Sequence, residues 1–123
     1  MYDLGNLITA DLEGCDRSFL NDLRKMKPLM LRAAKVAGAK VVSVDAHRFK
    51  PYGLSVTVII SESHIAIHSW PEHGAAAVDI FTCGDLKTRE ATEYVASQLK
   101  AENCKTRKQR RCTSKHYRKH KPT

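Results

Sequence analysis

The sequence predicts an α+β fold: a two-layer α/β sandwich with a mostly antiparallel sheet and two helices on one face. Three observations lead there. Short β-compatible apolar stretches recur along the chain, separated by turn residues such as Pro51-Tyr52-Gly53 and Pro71-Glu72-His73-Gly74. Only two segments carry the three- and four-residue apolar spacing of a helix. At 123 residues the chain is one domain at most, with a modest core.

Taken in order, Leu7–Leu12 reads as a strand closed by Glu13-Gly14. Asp16 is a candidate helix N-cap, and Phe19, Leu20, Leu23, Met26, Met30, Leu31, Ala34 and Val36 follow at helical spacing until Gly38. Pro28 within that run predicts a kink or a broken turn. Lys40–Ala46 carries three valines and reads as a second strand. In Leu54–Ser61, Leu54, Val56, Val58 and Ile60 alternate with Ser55, Thr57, Ile59 and Ser61, as in a strand with two unlike faces. His64–Ser69 and Ala75–Phe81 are two more strands, and Thr88–Ala101 is a second amphipathic helix. Residues 103 to 112 suit a weak edge strand, with disorder beyond. Two helices cover only one sheet face. The other is expected to carry apolar side chains and to be covered by a second copy, so the fold predicts a dimer packed sheet to sheet.

The formal net charge of +8 is unevenly placed. Residues 105–123 hold nine Lys and Arg and no acid, whereas the first 104 residues hold twelve against all thirteen acids. The chain therefore divides into a near-neutral domain, 1–104, and a basic, disordered tail, 105–123. Its plain reading is a solvated appendage; its sharper reading is weak polyanion binding, with Tyr117 the one aromatic available for stacking. No apolar run approaches a membrane span and no signal-like start is present, so a cytoplasmic protein with no membrane partner is expected. Cys15, Cys83, Cys104 and Cys112 are then reduced thiols.

Chemistry-bearing residues crowd between 47 and 84: His47-Arg48-Phe49, Ser61-Glu62-Ser63-His64, Ile67-His68-Ser69-Trp70-Pro71-Glu72, and Asp79-Ile80-Phe81-Thr82-Cys83-Gly84. A metal site is disfavoured. His64 and His68 on a strand lie about 13 Å apart, too far to share an ion with bonds near 2 Å. A Ser–His or Cys–His hydrolase has the residue types but lacks the GxSxG elbow and room for a cleft. The third option is backbone chemistry. A serine hydroxyl attacks the preceding carbonyl, a base removes the serine α-proton, and elimination followed by hydrolysis leaves a pyruvoyl terminus. Glu62-Ser63, at a tight junction of two strands, suits such a step.

The motifs Ser-Glu-Ser-His, Ile-His-Ser-Trp-Pro-Glu and Asp-Ile-Phe-Thr-Cys-Gly, at these separations, resemble those of the prokaryotic S-adenosylmethionine decarboxylase proenzymes over about Leu4 to Leu99. The resemblance implies cleavage between Glu62 and Ser63, with Ser63 becoming a pyruvoyl cofactor. It implies that His68 is the base in processing, that Ser55 assists it, and that Cys83 protonates the product carbon. Phe49, Trp70 and Glu72 would bind S-adenosylmethionine: Phe49 against adenine, Glu72 on the ribose hydroxyls, Trp70 lining the pocket. The pathway served would be spermidine biosynthesis.

Taken singly, each of these residues has an ordinary structural reading; at these spacings together, the functional one prevails. Leu7, Ser69 and Lys50 depart from the family's usual pattern. They leave a pyruvoyl-dependent arginine or ornithine decarboxylase as the alternative, and a non-catalytic polyanion-binding homologue as another. Strand geometry adds one expectation. Ser63 and His68 are about 16 Å apart along an extended strand, so a His68 acting on Ser63 would come from the other subunit. Ser63 and Cys83 of one chain would then meet Phe49, Ser55, His68 and Glu72 of its neighbour in a homodimer with shared active sites.

Overall fold

The structure, a computed structural model, describes residues 2–61 and 63–117. Six strands form one sheet: β1 (Tyr2–Glu13), β2 (Val41–Arg48), β3 (Leu54–Ile60), β4 (Ser63–Trp70), β5 (Ala75–Thr82) and β6 (Asn103–Ser114). Their order is β2-β3-β4-β5-β1-β6, and every neighbouring pair is antiparallel. The helices are α1 (Arg17–Leu20), α2 (Leu23–Val36) and α3 (Thr88–Gln98). The fold is α+β, with two principal helices, α2 and α3, in one layer.

The alternation in β3 sets the core. Leu54, Val56, Val58 and Ile60 are buried under the helices, joined by Ile65 and Ile67 of β4, Val78 and Ile80 of β5, and Ala10 and Leu12 of β1. From above, Met26, Leu29, Met30, Ala33 and Ala34 of α2 meet this surface at three- and four-residue spacing. Ala91 and Val95 of α3 extend it. Burying each of the larger side chains contributes about 1.5–3 kcal/mol before conformational entropy is counted.

The first helical segment differs from the reading of one helix disturbed at Pro28. It is broken earlier, at Asn21-Asp22, and Pro28 sits within α2. Two carboxylates explain the break: Asp16 accepts from the Ser18 N–H and Asp22 from the Arg24 N–H, each at 2.9 Å, so each starts its own helix. The chain between them is held from outside. Arg48 Nε donates to the Asn21 carbonyl at 3.2 Å, and the Gly53 N–H donates to Asn21 Oδ1 at 3.0 Å.

A second correction concerns only the boundary of the basic segment. The edge strand expected over 103 to 112 is present as β6, which pairs with β1 from Glu13↔Asn103 to Tyr2↔Ser114, so it runs across the boundary expected after residue 104. Strand pairing uses backbone donors and acceptors and does not depend on side-chain hydrophobicity, so a strand forms although all its residues but Ser114 are exposed. Arg110 fastens it, donating to Asp3 Oδ1 from Nε at 3.2 Å with Nη2 at 3.1 Å. Desolvation raises the Asp3 pKa, but the hydrogen bond and charge of this guanidinium, with a further hydrogen bond from Asn6, hold the carboxyl below the usual carboxylate range. The part of the expected tail from residue 118 onward lies outside the described residues.

A third concerns the sheet face away from the helices. It carries Ser55, Thr57 and Ile59 of β3, His64, Ala66 and His68 of β4, and Ala77, Asp79 and Phe81 of β5, in register. This surface mixes Ile59, Phe81 and two alanines with hydroxyl, imidazole and carboxylate side chains, so it is less apolar than expected. Ser55 and His68 are the candidate site residues on it.

Ser69 couples the layers. Its hydroxyl, buried in β4, donates to the Leu20 carbonyl and accepts from the Leu54 N–H at 3.2 Å. Ser69→Ala therefore orphans two buried backbone groups and is expected to lower unfolding free energy by about 1–3 kcal/mol in urea titrations.

Candidate active site

The candidate residues fall into two groups at opposite ends of β4. Ser63 begins the strand, with the Ser63 hydroxyl oxygen 3.8 Å from Cys83 Sγ across the β5 end of the sheet. Beside them the His64 ring stacks on Phe81, centroids 6.1 Å apart. Gly5 of β1 makes room for Phe81: a Cβ there would lie 2.5 Å from the ring's Cζ. Glu62, the other half of the expected cleavage site, lies outside the described residues.

At the far end of the strand, His68 stands opposite Ser55 in the β3–β4 register. Ser55 Oγ and His68 Nδ1 are 2.7 Å apart, a hydrogen bond whose direction depends on the imidazole tautomer. This pair lies on the sheet face turned away from the helices. Phe49 is 48% exposed and Trp70 46%, so both aromatic rings have nearly half their surface uncovered. Glu72 is exposed in the 3-10 turn Pro71–His73 that follows β4.

The loop carrying Phe49 is shaped by backbone. The Phe49 N–H donates to the Gly53 carbonyl at 2.8 Å, and Gly53 has φ of 102°, where a Cβ would also stand 3.0 Å from the Ser69 carbonyl oxygen. The Asn21 side chain holds the Gly53 N–H, tying this loop to the break between α1 and α2.

His47 of β2 pairs with Ser55 of β3 and meets Phe49 edge to face at a centroid distance of 4.6 Å. The register that puts His47 beside Ser55 is a tertiary fact with no local signal. Asn21 is likewise invisible as a positioning residue, because both its partners lie about 30 positions along the chain.

Among the described residues, no group of three or more His, Cys, Asp or Glu side chains converges as a metal site. None of the described helices is long and apolar enough to cross a membrane. The four cysteines are thiols; burial pushes Cys15 up in pKa, with Cys104 nearby adding to it.

The sequence model of the family described as S-adenosylmethionine decarboxylase matches residues 6–112. The chain belongs to the S-adenosylmethionine decarboxylase family. A protein of Thermoanaerobacter sp. named S-adenosylmethionine decarboxylase proenzyme is 47% identical over 104 residues, 84% of each chain. A proenzyme of the same name from Pelotomaculum thermopropionicum is 45% identical over 112 residues, covering 90% of this chain and 89% of its own. The crystal structure of the adenosylmethionine decarboxylase from Aquifex aeolicus superposes with a TM-score of 0.87 at 32% identity, over 98% of this chain and all of that one. The family match extends through most of β6.

Gly5→Ala forces the Phe81 ring to move and is expected to cost about 1–3 kcal/mol of stability. Denaturant unfolding of Gly5→Ala, Phe81→Leu and the double variant checks it; the two changes should be non-additive, with Phe81→Leu relieving much of the Gly5→Ala penalty.

Proposed function

We propose that this chain is a self-cleaving proenzyme whose processed form decarboxylates S-adenosylmethionine for spermidine synthesis, in the cytoplasm and as a homodimer. Family membership supports the activity. The observation that carries the site assignment is the placing of Ser63 with Cys83 at one end of β4 and His68 with Ser55 at the other.

Processing begins as the Ser63 hydroxyl attacks the Glu62 carbonyl carbon and the amide becomes an ester. Removal of the Ser63 α-proton expels the Glu62 carboxylate, and hydrolysis of the resulting enamine consumes water and releases ammonia. The products are a chain ending at Glu62 and one beginning with a pyruvoyl group. His68 is the base. With its Nδ1–H donated to Ser55 Oγ, the lone pair resides on Nε2, and the same bond fixes the ring's orientation. In that tautomer Ser55 aims the ring.

Position and chemistry suit Ser63 to become the cofactor: it opens a strand, where a new terminus leaves the core undisturbed, and it lies next to a thiol. When formed, the pyruvoyl ketone supplies an electron sink for loss of carbon dioxide from an amino acid. Cys83, already beside residue 63, delivers a proton to the carbon that loses carbon dioxide. Phe49 offers its open face to adenine, Glu72 accepts from ribose hydroxyls, and Trp70 borders the sulfonium, which an aromatic face attracts. Phe49, Trp70 and Glu72 also favour this substrate over arginine or ornithine, neither of which has a flat base or a diol to engage.

One chain cannot bring the two groups together, because five residues of strand separate Ser63 from His68 by about 16 Å. A second copy, packed on the face that bears Ser55 and His68, supplies His68, Phe49 and Glu72 to the first copy's Ser63 and Cys83. The domain acting in this way runs through β6.

Intact mass spectrometry of purified protein should give chains of 62 and 61 residues, the second with a pyruvoyl terminus, while Ser63→Ala stays whole. A wild-type chain that persists at full length refutes the proposal. Cys83→Ala should still cleave yet lose about 10²–10⁴-fold in carbon dioxide release from S-adenosylmethionine. Comparable release from arginine or ornithine would overturn the substrate assignment. Co-expressed His68→Ala and Ser63→Ala chains should regain partial cleavage in isolated heterodimers; absence of rescue there removes the shared site.

A further inference from the structure

One ring on the site face has no part in the mechanism proposed above. Alternation along β2 sends Arg48 toward the helical layer, where its Nε reaches the Asn21 carbonyl, and leaves His47 on the opposite face beside Ser55. His47 thus belongs to a row, His47–Ser55–His68, in which each member stands opposite the next in register. Its ring meets an aromatic neighbour two positions along the chain. The His47 and Phe49 centroids are 4.6 Å apart with the planes at 67°. That is a favourable edge-to-face pair.

The contact matters because of where Phe49 sits. It follows the last residue of β2, which is an edge strand, so neighbouring strands do little to confine its side chain. The bond from its N–H to the Gly53 carbonyl sets the backbone and leaves the ring to its own rotamers. With 48% of its surface open, Phe49 has room to take several of them. Ordering such a side chain on binding lowers affinity, and a neighbour that orders it beforehand removes the cost. An edge-to-face neighbour does so without blocking the platform. It occupies at most one face of the Phe49 ring and leaves the other for a flat partner.

We propose that His47 is a positioning residue, whose imidazole holds the Phe49 ring in the orientation that receives the purine of the substrate. This role rests on the proposed decarboxylase activity and adds a residue to its binding surface. It acts on binding and not on bond making, because Ser55 and His68 keep their own 2.7 Å hydrogen bond without it. The competing reading is that His47 is a polar residue that discourages an edge strand from pairing with another chain. Any polar side chain would serve that purpose, whereas positioning requires an aromatic rim.

Steady-state decarboxylation of S-adenosylmethionine by the processed, full-length protein separates the two. His47→Ala should still self-cleave and should raise KM about three- to tenfold, the affinity equivalent of one edge-to-face pair, with a much smaller change in kcat. In titration calorimetry the Kd for 5′-methylthioadenosine, which carries the purine without the amino acid, should rise by the same factor. His47→Phe keeps an aromatic rim and should behave as the parent; His47→Gln is polar without a ring and should behave as the alanine variant. In a Phe49→Leu background His47→Ala should add no further loss. An unchanged KM in His47→Ala, a parental KM in His47→Gln, or additive losses in the double variant overturns the proposal. A fall in kcat at constant KM also overturns it and moves His47 to the Ser55–His68 pair. A parent that neither releases carbon dioxide from S-adenosylmethionine nor binds the nucleoside refutes the function and takes this role with it, whereas an active parent with indifferent variants sinks the role alone.

Discussion

The governing constraint is the length of β4. A strand advances about 3.3 Å per residue and does not fold back, so the serine at its start and the histidine five residues on cannot touch. Everything proposed about the site follows from that separation. The strand delivers two half-sites, a hydroxyl–thiol pair and a hydroxyl–imidazole pair, each assembled locally by sheet register. Under the proposed shared site, such a division would make chemistry contingent on association and protect an unassembled chain from cutting itself.

The rest of the scaffold keeps those half-sites in register. Ser69, on the strand's core side, is bonded to both α1 and β3, so the end of β4 that carries His68 is fixed relative to the helical layer. Asn21 extends the same connection to the loop that presents Phe49. At the other end, Gly5 yields space to Phe81, against which His64 stacks beside Ser63. The helix break at Asn21-Asp22 thus serves the loop, since an uninterrupted helix would have its Asn21 carbonyl committed to the helix and unavailable to Arg48.

Much of this was legible in the sequence where the signal was local. Strict alternation in Leu54–Ile60 gave the faces of β3, and the turn residues around Pro51 and Pro71 gave its neighbours. The motifs around Ser63, His68 and Cys83 gave the family. What escaped reading was long-range. The edge strand over 103 to 112 was legible, but composition still drew the domain boundary after residue 104, because pairing with β1 enlists backbone groups to which composition is blind. The same limit hid the roles of Asn21 and His47, whose partners are reached only through the fold. The character of the open sheet face was misjudged for a related reason: alternation assigns side chains to a face but says nothing about which of them a partner needs.

The shared site makes one kinetic demand. If Ser63 requires His68 from a second copy, conversion of newly made chain must depend on encounter. Cell-free synthesis over a hundredfold range of protein concentration, with the 62- and 61-residue products timed by mass spectrometry, tests this directly. The account predicts cleavage that quickens with concentration and levels off once sedimentation shows dimer. Cleavage at one fixed rate throughout, in samples that sediment as monomer, would contradict it.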